Sequence, residues 1–215
     1  MIKKLLLASV FAGFFAIPAQ AATVFFDDFN GNTADQLNGV PTGWSLAFGV
    51  VDIIGLGGGY DWYPTNGRYI DLDGSIGATG QLSALLTNTP VNLAAGIYTL
   101  SFDYGINHND GSDTDLIFAG VYSSGPGISF FTSVDANALN HSLSTFASHS
   151  VSFVLASAVV GAQFFIGGYS VGAVDQSGGI IDNFEISEVP LPGAALLLLS
   201  GLAAVAGFGR KRRNA

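Results

Sequence analysis

The chain has 215 residues, 49% of them hydrophobic, with no cysteine, 7 Lys+Arg and 16 Asp+Glu, a formal net charge of −9. Without cysteine there is no disulfide framework and no thiol catalysis. Every basic residue except Arg68 lies near an end, so Ala22–Glu188 holds one arginine against all 16 acidic residues, and nucleic acid and anionic lipid are excluded as partners of that body.

The N-terminus reads as a secretory signal peptide. Met1–Lys4 is positive, Leu5–Ile17 is apolar and uncharged, and Ala19-Gln20-Ala21 is an A-x-A site, which predicts cleavage after Ala21. The remaining body, 22–188, is long enough for one good core and about one domain.

Short strand patterns then follow in close succession. They are Thr23–Phe29, a long segment Trp44–Ile54 expected to bulge at Gly49, Arg68–Gly74 and Gln81–Thr87. In Ile97–Gly105 the residues Tyr98, Leu100, Phe102 and Tyr104 alternate with Thr99, Ser101 and Asp103, the period of a half-buried strand. Asp115–Ser123, Ile128–Val134, His149–Ser157, Ala162–Ser170 and Gly179–Ser187 complete about ten strands with turn signals between them. Such a series predicts an all-β fold, an antiparallel jelly-roll β-sandwich. A weak helical pattern appears only around Ala136–Leu143.

Two loops attract attention for ligands. In Gly57–Tyr69 the aromatic residues Tyr60, Trp62 and Tyr63 stand with Asp61, Asn66 and Arg68. Ring faces beside amide, carboxylate and guanidinium groups suit a sugar, so Tyr60, Trp62, Tyr63, Asn66 and Arg68 form a candidate glycan site. The other reading is that these aromatics plug one end of the sandwich and that Arg68 neutralises Asp71 or Asp73. The stretches Asp71–Ser75 and Asp110–Asp115 gather carboxylates with glycine, surroundings that a calcium ion prefers, although neither fits an EF-hand loop. Asp182 shares strand parity with Ile180, Phe184 and Ile186, so its charge needs a partner. A cation held by Asp182 with Asp110, Asp113 and Asp115 is one candidate, and backbone N–H groups or a tyrosine are another.

Catalytic signals are weaker. Gly168–Gly172 matches G-x-S-x-G, but no histidine follows Ser170 and no helix is predicted there, so the nucleophile-elbow reading is set aside. Asp71 and Asp73 share a strand face, as any D-x-D in a strand does, and Glu185 and Glu188 sit at the end of the body. His108, His141 and His149 lack the tight spacing of a zinc site.

Leu191–Gly209 carries no charge and precedes Arg210, Lys211, Arg212 and Arg213. A helix over it would reach about 28 Å, enough to cross a hydrocarbon core with the cations kept cytoplasmic. Pro190 and Pro192 start this segment and keep the preceding residues extended. The expected plan is a signal peptide (1–21), a β-sandwich (22–188) and a membrane-anchoring tail (189–213).

Two resemblances refine this plan. Val189, Pro190, Leu191 and Pro192, followed by the apolar run and the basic cluster, resemble a PEP-CTERM sorting tail of the VPLPA type, with Gly193 in place of its last residue. The resemblance implies a Gram-negative host and an exosortase-type transpeptidase as partner. It also implies an inner-membrane precursor and a mature form at the surface or in the exopolysaccharide. The blocks Gly43–Gly55, Asn66–Ser75, Tyr98–Tyr104 and Ile180–Ile186 resemble galactose-binding-like jelly rolls. That likeness implies a structural calcium ion in some members and a carbohydrate site in others. The expected function is a non-enzymatic, exopolysaccharide-associated protein that binds carbohydrate. A secreted polysaccharide hydrolase and a purely structural matrix component are the alternatives.

Overall fold

A computed structural model describes residues 21–32, 35–75, 82–108, 114–125, 127–139, 145–171 and 178–190. The expected signal segment before Ala21, the helix over 191–209 and the basic tail lie outside these residues, as do Ala19, Asp110, Asp113, His141, Leu191 and Pro192. Ala22–Val189 forms one compact unit.

Twelve strands build two antiparallel sheets. They are β1 (Ala22–Asp27), β2 (Trp44–Phe48), β3 (Asp52–Gly55), β4 (Arg68–Asp71), β5 (Leu82–Thr87) and β6 (Val91–Leu93), then β7 (Gly96–Ile106), β8 (Thr114–Ser123), β9 (Gly127–Asp135), β10 (Ala147–Leu155), β11 (Val159–Val171) and β12 (Gly179–Val189). One sheet runs β10-β7-β12-β4-β3, with β1 also on β12; the other runs β2-β5-β11-β8-β9, with β6 also on β11. We call them the first and second sheets. The two-sheet antiparallel sandwich expected from the strand series is therefore what forms.

Alternating apolar residues supply the core. Tyr98, Leu100 and Phe102 of β7 face Ile117, Ala119 and Val121 of β8 and Phe164 and Ile166 of β11 across the interior, all buried. Phe25, Trp44, Phe164 and Phe184 pack as an aromatic group with centroids 5.4 to 6.0 Å apart. Along one edge, Phe130 of β9 stacks on Phe153 of β10 at 4.0 Å, so a ring pair closes the gap between the sheets.

Two expectations are corrected. Trp44–Ile54 is not one bulged strand: Gly49 sits at φ +71 and turns the chain, so β2 joins β5 in the second sheet while β3 joins β4 in the first. Of the helical pattern over Ala136–Leu143, the described residues form a 3-10 turn, Ala136–Ala138, capped by the Asp135 side chain, and residues 140–143 lie outside them. A short strand, β6, was not anticipated.

Candidate functional site

The segment between β3 and β4 folds back over the first sheet. There Ile54, Tyr63, Tyr69 and Ile180 form a second buried cluster, against which Trp62 and Phe146 pack. Tyr63 is 1% exposed, and its hydroxyl accepts from the Ile106 N–H (2.8 Å) and donates to the Ile106 carbonyl (2.9 Å). Its ring stacks on Phe146 at 4.1 Å. Gly105 leaves room for it, since a Cβ there would lie 2.3 Å from the hydroxyl. Tyr69 is buried beside it with its hydroxyl near the Asp61 carboxylate (3.2 Å), and burial, the largest influence, pushes that hydroxyl well above the ordinary tyrosine range.

This arrangement divides the expected glycan residues. Tyr63 is a structural plug and is withdrawn from any ligand. Arg68 is also buried, and its guanidinium pairs with Asp35, so it neutralises neither Asp71 nor Asp73. Asn66 donates to the Tyr63 carbonyl (3.1 Å) and braces the loop. Tyr60, 43% exposed, and half-buried Trp62 remain at the surface, their rings 6.4 Å apart and inclined by 64°. The His108 ring lies 5.5 Å from Trp62, tilted 39°. Trp62 Nε1 is buried without a hydrogen-bond partner among the described residues. The result is a ledge of three ring systems with the Asp61 carboxylate and the Asn66 amide beside it.

The acidic residues sort differently from expectation. Asp182 is 1% exposed, but it does not lie on the main core face. Asn183 adopts φ +49 at a bulge between Asp182 and Glu185, so Ile181 enters the main core before the bulge, and Phe184 and Ile186 after it. Asp182 keeps the side of Ile180, opposite the main core, across from Asp103 on β7. Its carboxylate accepts from the Asn183 N–H (2.7 Å), and its pKa is pushed up to about 7, first by burial and then by repulsion from Asp103, Asp28 and Asp27. Asp115 belongs to the other sheet, where it is buried and accepts from the Ser170 hydroxyl, so it is not a companion of Asp182. Asp110 and Asp113 lie outside the described residues. Among the described residues, no three histidine or acidic side chains stand together as a ready metal centre.

The catalytic signals resolve into structure. Asp71 is buried and accepts from the N–H groups of Asp73 (2.9 Å) and Gly178 (3.1 Å) and from the Asn107 amide (2.7 Å). Burial dominates these bonds and raises its pKa well above the usual carboxylate value, so this group ties three loops together. Gly168–Val171 of the G-x-S-x-G match lies inside β11 rather than at a strand-to-helix turn, so the elbow does not form. His149 bonds Thr132 (3.0 Å) between β10 and β9, and burial lowers its pKa.

A feature absent from the sequence reading is the outer face of the second sheet. It forms an apolar groove of about 370 Å³ reaching from Ala47 and Phe48 on β2 to Ile128 and Phe131 on β9. Phe118, Phe131 and Phe165 lie 6.2 to 6.4 Å apart across it. Phe165 is paired with Gly120, and Phe118 with Gly167, so the rings lie over glycines; a Cβ at 167 would sit 2.5 Å from Phe118. A signal for it was present in β8, where Leu116, Phe118 and Tyr122 alternate with Ile117, Ala119 and Val121, making both faces apolar.

No family model matches the chain, and no curated protein matches it in sequence. Among solved structures it is similar to the CBM22-1 xylan-binding domain of Paenibacillus barcinonensis Xyn10C, with a TM-score of 0.46 and 13% identity over 80% of this chain and 97% of that one. It is also similar to TmCBM61 in complex with beta-1,4-galactotriose, with a TM-score of 0.42 and 16% identity over 69% and 90% of the two chains. An arabinose-bound MgGH51 α-L-arabinofuranosidase gives a TM-score of 0.46 at 10% identity, covering 67% of this chain, which spans only 23% of that enzyme. Likeness at this level assigns no ligand to this chain.

Proposed function

We propose that this chain is an exported, non-enzymatic protein whose sandwich, wound as a jelly roll, binds an extracellular polysaccharide through the ledge of Tyr60, Trp62 and His108. The observation that carries this reading is the contact of exposed Tyr60 with half-buried Trp62, and of Trp62 with half-buried His108, in a loop that also carries Asp61 and Asn66. A pyranose needs an apolar face to lie on and polar groups for its hydroxyls, and this surface offers both within one loop. Tyr63 and Arg68, buried beneath, hold the ledge rather than touch the sugar. The buried and hydrogen-bonded state of Asp71, and the strand setting of Ser170, favour binding over hydrolysis.

Of the residues expected to hold calcium, Asp182 is the one kept: a cation beside it would relieve the repulsion it feels from Asp103, Asp28 and Asp27, although these do not stand as a ready-made centre. Export and sorting rest on the sequence alone. The signal segment delivers the acidic body across the inner membrane, and the 191–209 helix stops transfer with Arg210–Arg213 in the cytoplasm. An exosortase-type transpeptidase then acts near Pro190 and Pro192, just beyond the end of β12. Glycan-array binding that is lost in Trp62→Ala tests the ligand. Mass spectrometry of the mature protein tests sorting: a C-terminus near the proline motif is expected, and an intact basic tail in a host with an exosortase would refute it.

A further inference from the structure

We infer that the groove on the outer face of the second sheet is a self-association surface, occupied by the same face of a second copy of this chain. Among the residues lining the groove, the Tyr122 hydroxyl is the only polar side-chain group. A sugar seated there would leave most of its hydroxyls without partners, at a cost its ring contacts do not recover. The face also carries no charged side chain among those lining residues, on a body with one arginine against 16 acidic residues. Exposed Asp135 stands at one end of this face, opposite Leu116, so two bodies can meet over the groove itself without bringing carboxylates together there.

Area supports a pair. Phe48, Leu82, Ile128, Phe131 and Tyr169 are 46%, 45%, 62%, 53% and 38% exposed, and all share this face. Taking about 200 Å² for each fully exposed side chain, and adding the half-buried lining residues, gives roughly 600 Å² per copy. Two copies then bury about 1,200 Å², the lower bound of a specific interface, and the roughly 600 Å² on each copy stands at the upper end of what a monomer exposes in one patch. Ile128 and Phe131 are exposed on the β9 rim, while the Phe165 and Phe118 rings settle into the spaces above Gly120 and Gly167 and pave the floor beside it. A two-fold axis lets each rim enter the other copy's groove, the isologous arrangement that closes as a dimer instead of growing into a fibre.

The absence of cysteine makes the test direct. Ser133 lies on this face opposite Phe118, whereas Val154, 69% exposed, lies on β10 of the first sheet. Full-length chains carrying Ser133→Cys or Val154→Cys are reconstituted in lipid vesicles and treated with a flexible bismaleimide. Predominantly dimeric product is expected from Ser133→Cys and little from Val154→Cys, with the yield rising between low and physiological salt as repulsion between the acidic bodies is screened. Adding Ile128→Asp, or separately Phe48→Asp, should weaken dimerisation roughly thirty-fold, as loss of a central interface anchor does. Equal yields from the two cysteine positions would overturn the inference. So would Ile128→Asp chains that cross-link normally but no longer bind polysaccharide, since the groove would then be the sugar site. Failure of the ledge to bind glycans leaves this result untouched.

Discussion

Replacing Asp182 by asparagine isolates the energetics of the most perturbed surface-side carboxyl. In the unfolded chain the group titrates near 3.8, and in the folded protein at about 7. The folded state therefore holds its proton more tightly. This group's contribution to stability is fully present below about pH 4, declines as pH rises, and is gone above about pH 7. The upper limit of that loss is on the order of 4 kcal/mol, and roughly half of it is expected once water reaching the carboxylate is allowed for. Asparagine keeps the volume and can still accept from the Asn183 N–H, but it carries no charge. Asp182→Asn should thus stabilise the protein by about 2 kcal/mol near pH 8 in chelator, a rise in melting temperature of roughly 4–8 °C, and change little near pH 4. Circular-dichroism melts at both pH values measure this, and a variant that melts lower than wild type at pH 8 in chelator would refute the reasoning. Calcium added at pH 8 should raise the melting temperature of wild type and not of the variant, because an ion that binds only the native state stabilises it by mass action. Identical wild-type curves in calcium and chelator would remove the cation while leaving the carboxyl argument standing.

Two further substitutions test the supports of the ledge. Tyr63→Phe strips the hydroxyl that both accepts from and donates to Ile106, and an unpaired buried N–H should cost about 1–3 kcal/mol in denaturant melts. Arg68→Ala removes the ion-pair partner of the Asp35 carboxylate, a pair between a buried and a half-buried side chain, for an expected loss of about 2–3 kcal/mol. An Arg68→Ala protein with unchanged stability would contradict the assignment of that arginine to the framework.

What the sequence revealed and what it hid follow from the range of the interactions. The alternation in β7 is a local property, and the strand appears where its pattern puts it. The split at Gly49 was hidden because two short strands of one apolar segment look continuous until the glycine takes a positive φ and the halves find different partners. Asp182 was placed on the wrong side because a bulge at Asn183 shifts the parity by one residue, and an Asp-Asn step alone does not announce a bulge. Within the 57–69 loop no periodicity separates Tyr60 from Tyr63; what buries Tyr63 is a hydroxyl bond to Ile106, 43 residues away. The Arg68–Asp35 pair likewise spans 33 residues and leaves no local trace. The aromatic groove was legible in principle, since β8 is apolar on both faces, but alternation within a strand does not say which face meets the interior.

The central claim is that a polysaccharide rests on Tyr60, Trp62 and His108. The direct measurement is binding of the mature protein to a glycan array, with and without calcium, for wild type, Tyr60→Ala and Trp62→Ala in parallel with their melting curves. The account predicts that wild type retains a defined set of polysaccharide fragments and that both substitutions abolish or strongly weaken retention, with Tyr60→Ala melting close to wild type and Trp62→Ala somewhat lower, since its ring packs against the Tyr63 cluster, yet still folded. Undiminished binding by a well-folded Trp62→Ala protein, or no glycan retained by wild type under either condition, would contradict it.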